Sequence, residues 1–372
     1  MNPIAKLHHL GQSIWYDNIE RRLLNNGELA AMISRGDIRG VTSNPSIFKN
    51  AIANSSDYDN ALIPLAKQGL SKEDIYEKLA VADIRAACDL FLPLYEKTNR
   101  GDGYVSLEVS PYLAQETDTT LEEALRLWKR IARPNLMIKI PGTEASLPAI
   151  TSSIAAGINV NVTLIFSVER YAKIMAAYLS GLEKRLESGQ PIGHVASVAS
   201  FFVSRIETNI DNRLTALLEI SGDNARWIET LKGEFAVASA KLAYAKHKEI
   251  FSGERWERLV AKGAHIQRAL WASTSTKNPA YPDTKYVDEL IAPNTINTIP
   301  PKTLDAFRDH GTAALTLESN LDSARSAFDY LYALDISIDE ATQELEDEGV
   351  RKFADAFTAL LETIEKRRIA AL

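Results

Sequence analysis

The stretch LMIKIPGTEA, residues 136–145, sets a lysine inside an apolar, β-branched run that closes on a Pro-Gly turn. A continuous apolar run of this length reads as a strand buried on both faces, the habit of parallel sheets. An ammonium group withdrawn from water is costly unless something pairs with it or uses it. Lys139 therefore asks which fold would hold it and what it would do there.

Working outward, the same kind of run recurs along the chain: SIWYD (13–17), GVTSNPS (40–46), YVSLEVSP (104–111), NVNVTLIF (159–166), HVASVASFF (194–202), RALWAST (268–274) and ELIAPNT (289–295). Helical patterns lie between them. SKEDIYEKLAVADIRAACDLFLPLYEKTN (71–99) opens with Ser71 and Asp74 in a capping-box arrangement. SVERYAKIMAAYLSGLEKRLESG (167–189) starts at a Ser167 N-cap and stops at Gly189. Strands alternating with helices imply parallel strands joined by helical crossovers. About eight such units close a (β/α)₈ barrel. The rival, a doubly wound open sheet, would be favoured by a glycine-rich phosphate loop, and neither GxGxxG nor GxxxxGK[ST] occurs. The expected fold is α/β, a single TIM barrel domain over 1–372. Residues 309–372 would be a helical C-terminal extension packed on the barrel exterior, with EKRR (365–368) a solvated helix end.

Composition narrows the function. The 372 residues carry a formal net charge of -7, against the basic face that nucleic acid or an anionic membrane requires. An anionic small substrate would need a local Arg or Lys cluster. Cys88 is the single cysteine, which excludes an intrachain disulfide and suits a reducing compartment. The N-terminal residues lack the apolar core of a signal peptide, and the uncharged stretch 145–168 is broken by Pro148 and Gly157. A cytoplasmic protein without nucleic-acid or membrane partners is expected, either a monomer or a homodimer.

Nearly every strand candidate ends on a polar or ionisable residue: Asp17, Asn44, Glu108, Lys139, Asn161 with Thr163, Ser200 and Ser273. In a barrel these ends converge on the face that carries active sites. Singly, each has a plainer reading: Asp17 as a helix cap, Asn44 before Pro45 as a turn residue, Glu108 and Asn161 as outward-facing. Lys139 itself is open between two roles. Burial in a barrel mouth disfavours the charged amine and so makes a nucleophile for a ketone carbonyl. The other role is an ion pair with Asp17 or Glu108 that fills the core. Imine chemistry needs a carboxylate to assist water loss and a base for a departing hydroxyl, and Asp17 and Glu108 offer both. Asn161 and Thr163, two apart, face the same side of their strand.

At these residues the chain resembles a known family. VTSNPSIF (41–48), MIKIPGTEA (137–145), NVNVTLIFS (159–167) and SFFVSRIET (200–208) look like transaldolase, and WASTSTKNPAY (271–281) looks like its longer bacterial subgroup. The similarity runs from WYDNIERR (15–22) to ELEDEGVRKFADAF (344–357). It implies a (β/α)₈ barrel and a class I mechanism with no metal or cofactor, which moves dihydroxyacetone units between sugar phosphates in the pentose phosphate pathway. By the resemblance, Lys139 is the Schiff-base nucleophile and Asp17 the acid/base at the donor's C4 hydroxyl. Glu108 and Thr163 match the pair that positions the catalytic water. Asn44 and Asn161 match groups that hold the dihydroxyacetone hydroxyls, Ser200 is a further hydrogen-bond donor to substrate, Phe202 lines the pocket, and Arg205 binds phosphate. Smaller transaldolases carry a second arginine after the seventh strand. This chain has Ser273, Thr274, Ser275, Thr276 and Lys277 there, and Ser273, Ser275 and Lys277 are expected to complete the phosphate site. Two rivals stand beside transfer. One is a Schiff-base aldolase releasing free dihydroxyacetone, whose known relatives are shorter and carry glutamine at the position of Glu108. The other is a non-catalytic sugar-phosphate-binding barrel, in which the lysine or carboxylates would be replaced.

Several conspicuous residues point elsewhere. His8, His9, His194, His247, His265 and His310 lack metal-ligand spacing. Trp15 and Trp271 read as core, Cys88 as a buried inert thiol, and GERWERLVAKG (253–263) as an exposed amphipathic helix.

Overall fold

The computed structural model describes residues 2–53, 55–218 and 225–372. Seven parallel strands form one curled sheet: β1 (Gln12–Tyr16), β2 (Val105–Glu108), β3 (Leu136–Pro141), β4 (Val160–Ile165), β5 (Ser197–Phe202), β6 (Arg268–Ala272) and β7 (Thr295–Ile299). Their order across the sheet is β1-β7-β6-β5-β4-β3-β2. Chain-order neighbours from β2 to β7 lie side by side, and the sheet curls until β1 meets β7. Six of the strands are buried along their whole length, which is why they read as apolar runs rather than alternating ones.

The remaining gap, between β1 and β2, is spanned by residues 39–42. Tyr16 N donates to Gly40 O at 2.8 Å and Thr42 N to Tyr16 O at 3.0 Å. On the other side, Val41 N donates to Tyr104 O at 2.9 Å and Ser106 N to Val41 O at 3.0 Å. Only isolated parallel bridges form at Val41, one to Tyr16 and one to Val105. The GVTSNPS run therefore gives less strand than its sequence suggests, because Asn44 already turns the chain into the helix Pro45–Ala53.

The last expected strand is displaced. ELIAPNT was read as strand, yet β7 begins only at Thr295 and runs to Ile299. Pro293 removes a ladder donor and Asn294 adopts a left-handed φ of 59°, so the apolar residues before them serve as packing ahead of the strand.

Helix boundaries follow local capping. Ser71 accepts from Asp74 N at 3.1 Å and begins the helix Lys72–Lys97. Ser167 accepts from Arg170 N at 3.0 Å and begins Val168–Glu187, after which Gly189 takes a φ of 75°. Among the described residues, no helix is long and apolar enough to cross a membrane.

The C-terminal segment is not confined to the exterior. The helix Ile338–Ala370 packs on the outer helices Pro45–Ala53 and Lys72–Lys97 and also passes over the C-terminal ends of the strands, putting Phe353 into the cavity there. Nor is EKRR simply solvated, since Arg367 pairs with Asp59 and donates to the carbonyls of Ile52 and Ser55, a clamp on the helix's far end.

Candidate active site

The C-terminal ends of the strands open into a cavity of about 290 Å³. Asp17, Asn44, Lys139, Thr163, Ser200, Phe202, Arg205, Ser273, Ser275 and Lys277 all line it. Ten of the twelve predicted site residues are thus gathered on one surface, and the other two lie directly against them.

Lateral register does the gathering. Glu108 is the β2 partner of Lys139, and Lys139 is the β3 partner of Asn161. Lys139 Nζ stands 3.4 Å from Glu108 Oε2 and donates to Ser43 O at 3.3 Å. Both side chains are almost wholly buried, at 6% and 4% exposure. The turn that follows Lys139 also has a structural cause. Gly142 N donates to Thr163 O at 2.6 Å, and a Cβ on Gly142 would fall 2.8 Å from Ile174 Cδ1. A side chain at 142 would have to push Ile174 aside where β3 leaves the sheet close to β4.

Burial pushes the Glu108 carboxyl up to about 7, against the opposing pull of Lys139. Its two oxygens make no hydrogen bond within the protein, and neither does the buried Thr163 hydroxyl. Buried oxygens of this kind normally find a partner, so the pair is disposed to hold a water or a substrate hydroxyl. Thr163 is aimed by a bulge: Val162 pairs with Ala199 but Ile165 with Phe201, leaving one extra residue on β4, and Leu164 takes a φ of 60°.

Asp17 follows β1 directly. Thr42 Oγ1 donates to Asp17 Oδ1 at 2.6 Å and lies 2.6 Å from Thr298 Oγ1. With the Thr42 proton committed to Asp17, Thr298 is the donor to Thr42. Burial raises the Asp17 pKa, opposed first by the Thr42 hydrogen bond and then by Lys139 and Lys277. The carboxyl can therefore hold or release a proton inside the cavity, and it is not a helix cap.

Asn44 serves two ends. Its Oδ1 caps the helix Pro45–Ala53 by accepting from Ile47 N at 3.0 Å, while the residue lines the cavity. Asn161 lies below the cavity floor. It donates to Ser106 Oγ at 3.0 Å and accepts from Ser200 Oγ at 2.7 Å. With both amide ends engaged and no exposed surface, Asn161 orients Ser200, and Ser200 is the group that reaches the cavity.

The opposite wall is cationic. Arg205 is the second residue of the helix Ser204–Leu218, with its guanidinium 5.4 Å from the Phe202 ring and a buried Nη1 that has no hydrogen-bond partner. Lys277 Nζ donates to Ser275 Oγ at 2.5 Å, and Ser273 pairs with Ser204 at 2.9 Å. Burial and the neighbouring Arg205 lower the Lys277 pKa. Among the described residues neither cation forms an ion pair, which leaves a positive pole suited to an anion within an acidic protein.

Thr42, Thr298 and Phe353 also belong to the site and were not singled out from sequence. Thr42 lay inside a quoted motif without a role. Thr298 sits on the strand whose position was misread, and Phe353 lies in a helix assigned to the exterior. Of the residues set aside, Trp15, Trp271 and Cys88 are indeed fully buried. His247 is buried and bonded through Nε2 to Gln267 O at 2.7 Å. Trp256 is buried beneath the GERWERLVAKG helix, so that helix is exposed on one side only.

A buried lysine amine, two carboxyls with raised pKa and an anion pole around one cavity suit imine chemistry on a phosphorylated ketone. Comparison with known proteins points the same way. Residues 14–364 match the family described as transaldolase/fructose-6-phosphate aldolase. A transaldolase of Trichodesmium erythraeum (strain IMS101) is 48% identical over 370 residues, covering 98% of this chain and 97% of its own. A transaldolase of Thermobifida fusca (strain YX) is 46% identical with 99% of each chain covered. One from Mycolicibacterium smegmatis (strain ATCC 700084 / mc(2)155) is 46% identical over all of this chain and 99% of its own.

Proposed function

The chain belongs to the transaldolase/fructose-6-phosphate aldolase family, and from that premise we propose how its residues act. It is a transaldolase, a transferase of the pentose phosphate pathway working on sugar phosphates. We propose that it moves a dihydroxyacetone unit from sedoheptulose 7-phosphate or fructose 6-phosphate to glyceraldehyde 3-phosphate or erythrose 4-phosphate. The observation that carries this reading is Lys139 Nζ, buried at the cavity and 3.4 Å from a carboxyl whose proton is exchanged near neutrality.

The neutral amine of Lys139 attacks the donor's ketone carbon. Glu108 protonates the departing hydroxyl through a water shared with Thr163, and the carbinolamine becomes an iminium. Asp17, steadied by Thr42, removes the C4 hydroxyl proton as the C3–C4 bond breaks, and the aldose phosphate leaves. The bonding pair stays on the three-carbon fragment as an enamine. The acceptor aldehyde is then attacked by the enamine carbon, Asp17 returns the proton to the new alkoxide, and hydrolysis frees the product. Ser200 and the Asn44 amide hold the dihydroxyacetone hydroxyls, and Arg205, Lys277 and Ser275 hold the phosphate.

We also read residues 38–42 as a short eighth strand that closes a (β/α)₈ barrel. The hydrogen bonds that join Gly40 and Thr42 to Tyr16 of β1, and Val41 to Tyr104 and Ser106 on the other edge, support it. The single cysteine still favours a cytoplasmic enzyme, and the acidic charge balance one without nucleic-acid or membrane partners.

Borohydride reduction with fructose 6-phosphate, followed by peptide mass spectrometry, tests the chemistry. A three-carbon adduct on Lys139, with turnover only in the presence of erythrose 4-phosphate, is the expected result. The same adduct with acceptor-independent release of dihydroxyacetone would make the chain an aldolase. No adduct would return Lys139 to an architectural ion pair.

A further inference from the structure

Apart from Phe353, the residues lining the catalytic cavity come from the strand ends and the segments that directly follow them. Phe353 arrives from the C-terminal helix, is 7% exposed, and sets its ring centroid 5.5 Å from Lys139 Nζ. The helix is fastened on both sides of it. Arg170 Nε meets Glu346 at 3.2 Å before it, and Arg367 pairs with Asp59 after it. Between these, Gly349 brings the helix against the β4 bulge; a Cβ there would sit 3.1 Å from Leu164 Cδ2. The ring is therefore held over the amine rather than free to swing away.

We infer that Phe353 keeps water from the enamine carried by Lys139, and so sets the partition between transfer to an acceptor and release of free dihydroxyacetone. The inference rests on the Schiff-base reading above. An enamine has two exits. In transfer, its carbon bonds to the acceptor's aldehyde carbon and the new alkoxide takes its proton from Asp17. In release, the same carbon takes a proton from solvent to give the iminium. Water then adds to the C=N bond and the C–N bond breaks, so enamine and one water give the lysine amine and dihydroxyacetone. Transfer uses an aldehyde that enters past the phosphate pole, whereas release needs only solvent at the carbon. An apolar ring over Lys139 impedes the second exit and leaves the first open. Its π face also favours the iminium's positive charge.

The test measures, with fructose 6-phosphate, dihydroxyacetone released without acceptor against transfer to erythrose 4-phosphate. Both rates come from the same active molecules, so lost protein or lowered stability cancels in their ratio. In Phe353→Ala the ratio should rise about tenfold. Phe353→Val, which keeps the position apolar but opens a smaller gap, should show a lesser rise and serves if the alanine variant fails to fold. Phe357→Ala is the control. That ring lies one turn along the same helix and packs on Tyr76 and Tyr112, at 5.2 and 5.4 Å, outside this cavity. Its ratio should stay at the wild-type value. An unchanged ratio in whichever Phe353 variant folds would overturn the inference, as would an equal rise in Phe357→Ala, which would mean general loosening of the helix. Borohydride trapping on the wild type separates the two levels. If no adduct forms on Lys139, the Schiff-base reading falls and takes the inference with it; an adduct with unchanged ratios removes the inference alone.

Discussion

Lys139 and Glu108 share one buried place but make different predictions. Lys139→Ala should abolish turnover while circular dichroism stays close to wild type, and a variant keeping more than roughly a hundredth of the activity would remove the nucleophile role. Glu108 can be checked without substrate. Its folded pKa, about 7, lies above the ordinary carboxylate value near 4.5, so the native state holds a proton that the unfolded chain has lost across that window. Stability contributed by this group is complete below about pH 4.5 and drains away as the pH rises through 7. Glu108→Gln cannot titrate. The stability difference between wild type and variant should therefore drift by about 3 kcal/mol between pH 4.5 and 7, against the wild type at the higher pH. Urea titrations of both proteins at several pH values would show the drift, and a constant offset would mean that the carboxyl titrates normally. Lys139 and Glu108 were legible in sequence because a charge inside an apolar run is conspicuous. Asn161 was legible as a site residue but not as one that acts through Ser200, since sequence spacing gives the face of a strand and not the depth at which a side chain ends.

At the scale of elements, the strand and helix rhythm was readable because buried parallel strands are apolar along their length and the Ser caps announce their helices. What escaped depends on context. The apolar residues 290–292 look like strand, yet Pro293 and Asn294 delay β7, and Thr298 was lost with it. The loop after β6 gives a prediction at this scale. It carries Ser273 in a left-handed conformation, with a φ of 55°, and leads to Lys277 opposite Arg205. Lys277→Ala should raise KM for phosphorylated substrates about tenfold, with little change for the free sugars. Equal effects on both would exclude Lys277 from the phosphate site. The C-terminal helix yields a second. Gly349→Leu would push it off Leu164 and Phe166, where even a single Cβ is tight. Its release-to-transfer ratio should move in the direction of the Phe353 variants, and an unchanged ratio would show that the helix can shift without uncovering Lys139. Helix patterns show which face of such a segment is apolar, but not which apolar surface of the rest of the molecule it will cover.

Across the whole molecule, chemistry and stability occupy opposite ends of the strands. Asp17, Glu108, Lys139 and Thr163 lie at or near the C-terminal ends. At the N-terminal ends Asp102 organises a separate network: its carboxylate accepts from Ser13 at 2.8 Å and from Trp15 at 3.4 Å, and pairs with Arg39 at 3.3 Å and Arg268 at 3.0 Å. These partners come from β1, from the segment bridging β1 to β2, and from β6, so one buried carboxylate ties together the edges of the gap and the strand across the interior. Sequence reading passed over Asp102 because nothing in its surroundings is unusual; its partners are 63 to 166 residues away. Asp102→Asn would leave Arg268, only 15% exposed, beside a neutral group. Breaking a buried pair in this way costs roughly 3 kcal/mol, so the variant should melt several degrees lower. The distance of the network from the cavity predicts an unchanged kcat and KM at temperatures where the variant is folded. A lowered kcat in the folded variant would show that the closure of the sheet at its base controls the geometry around Lys139, and that the two ends of the sheet are not independent.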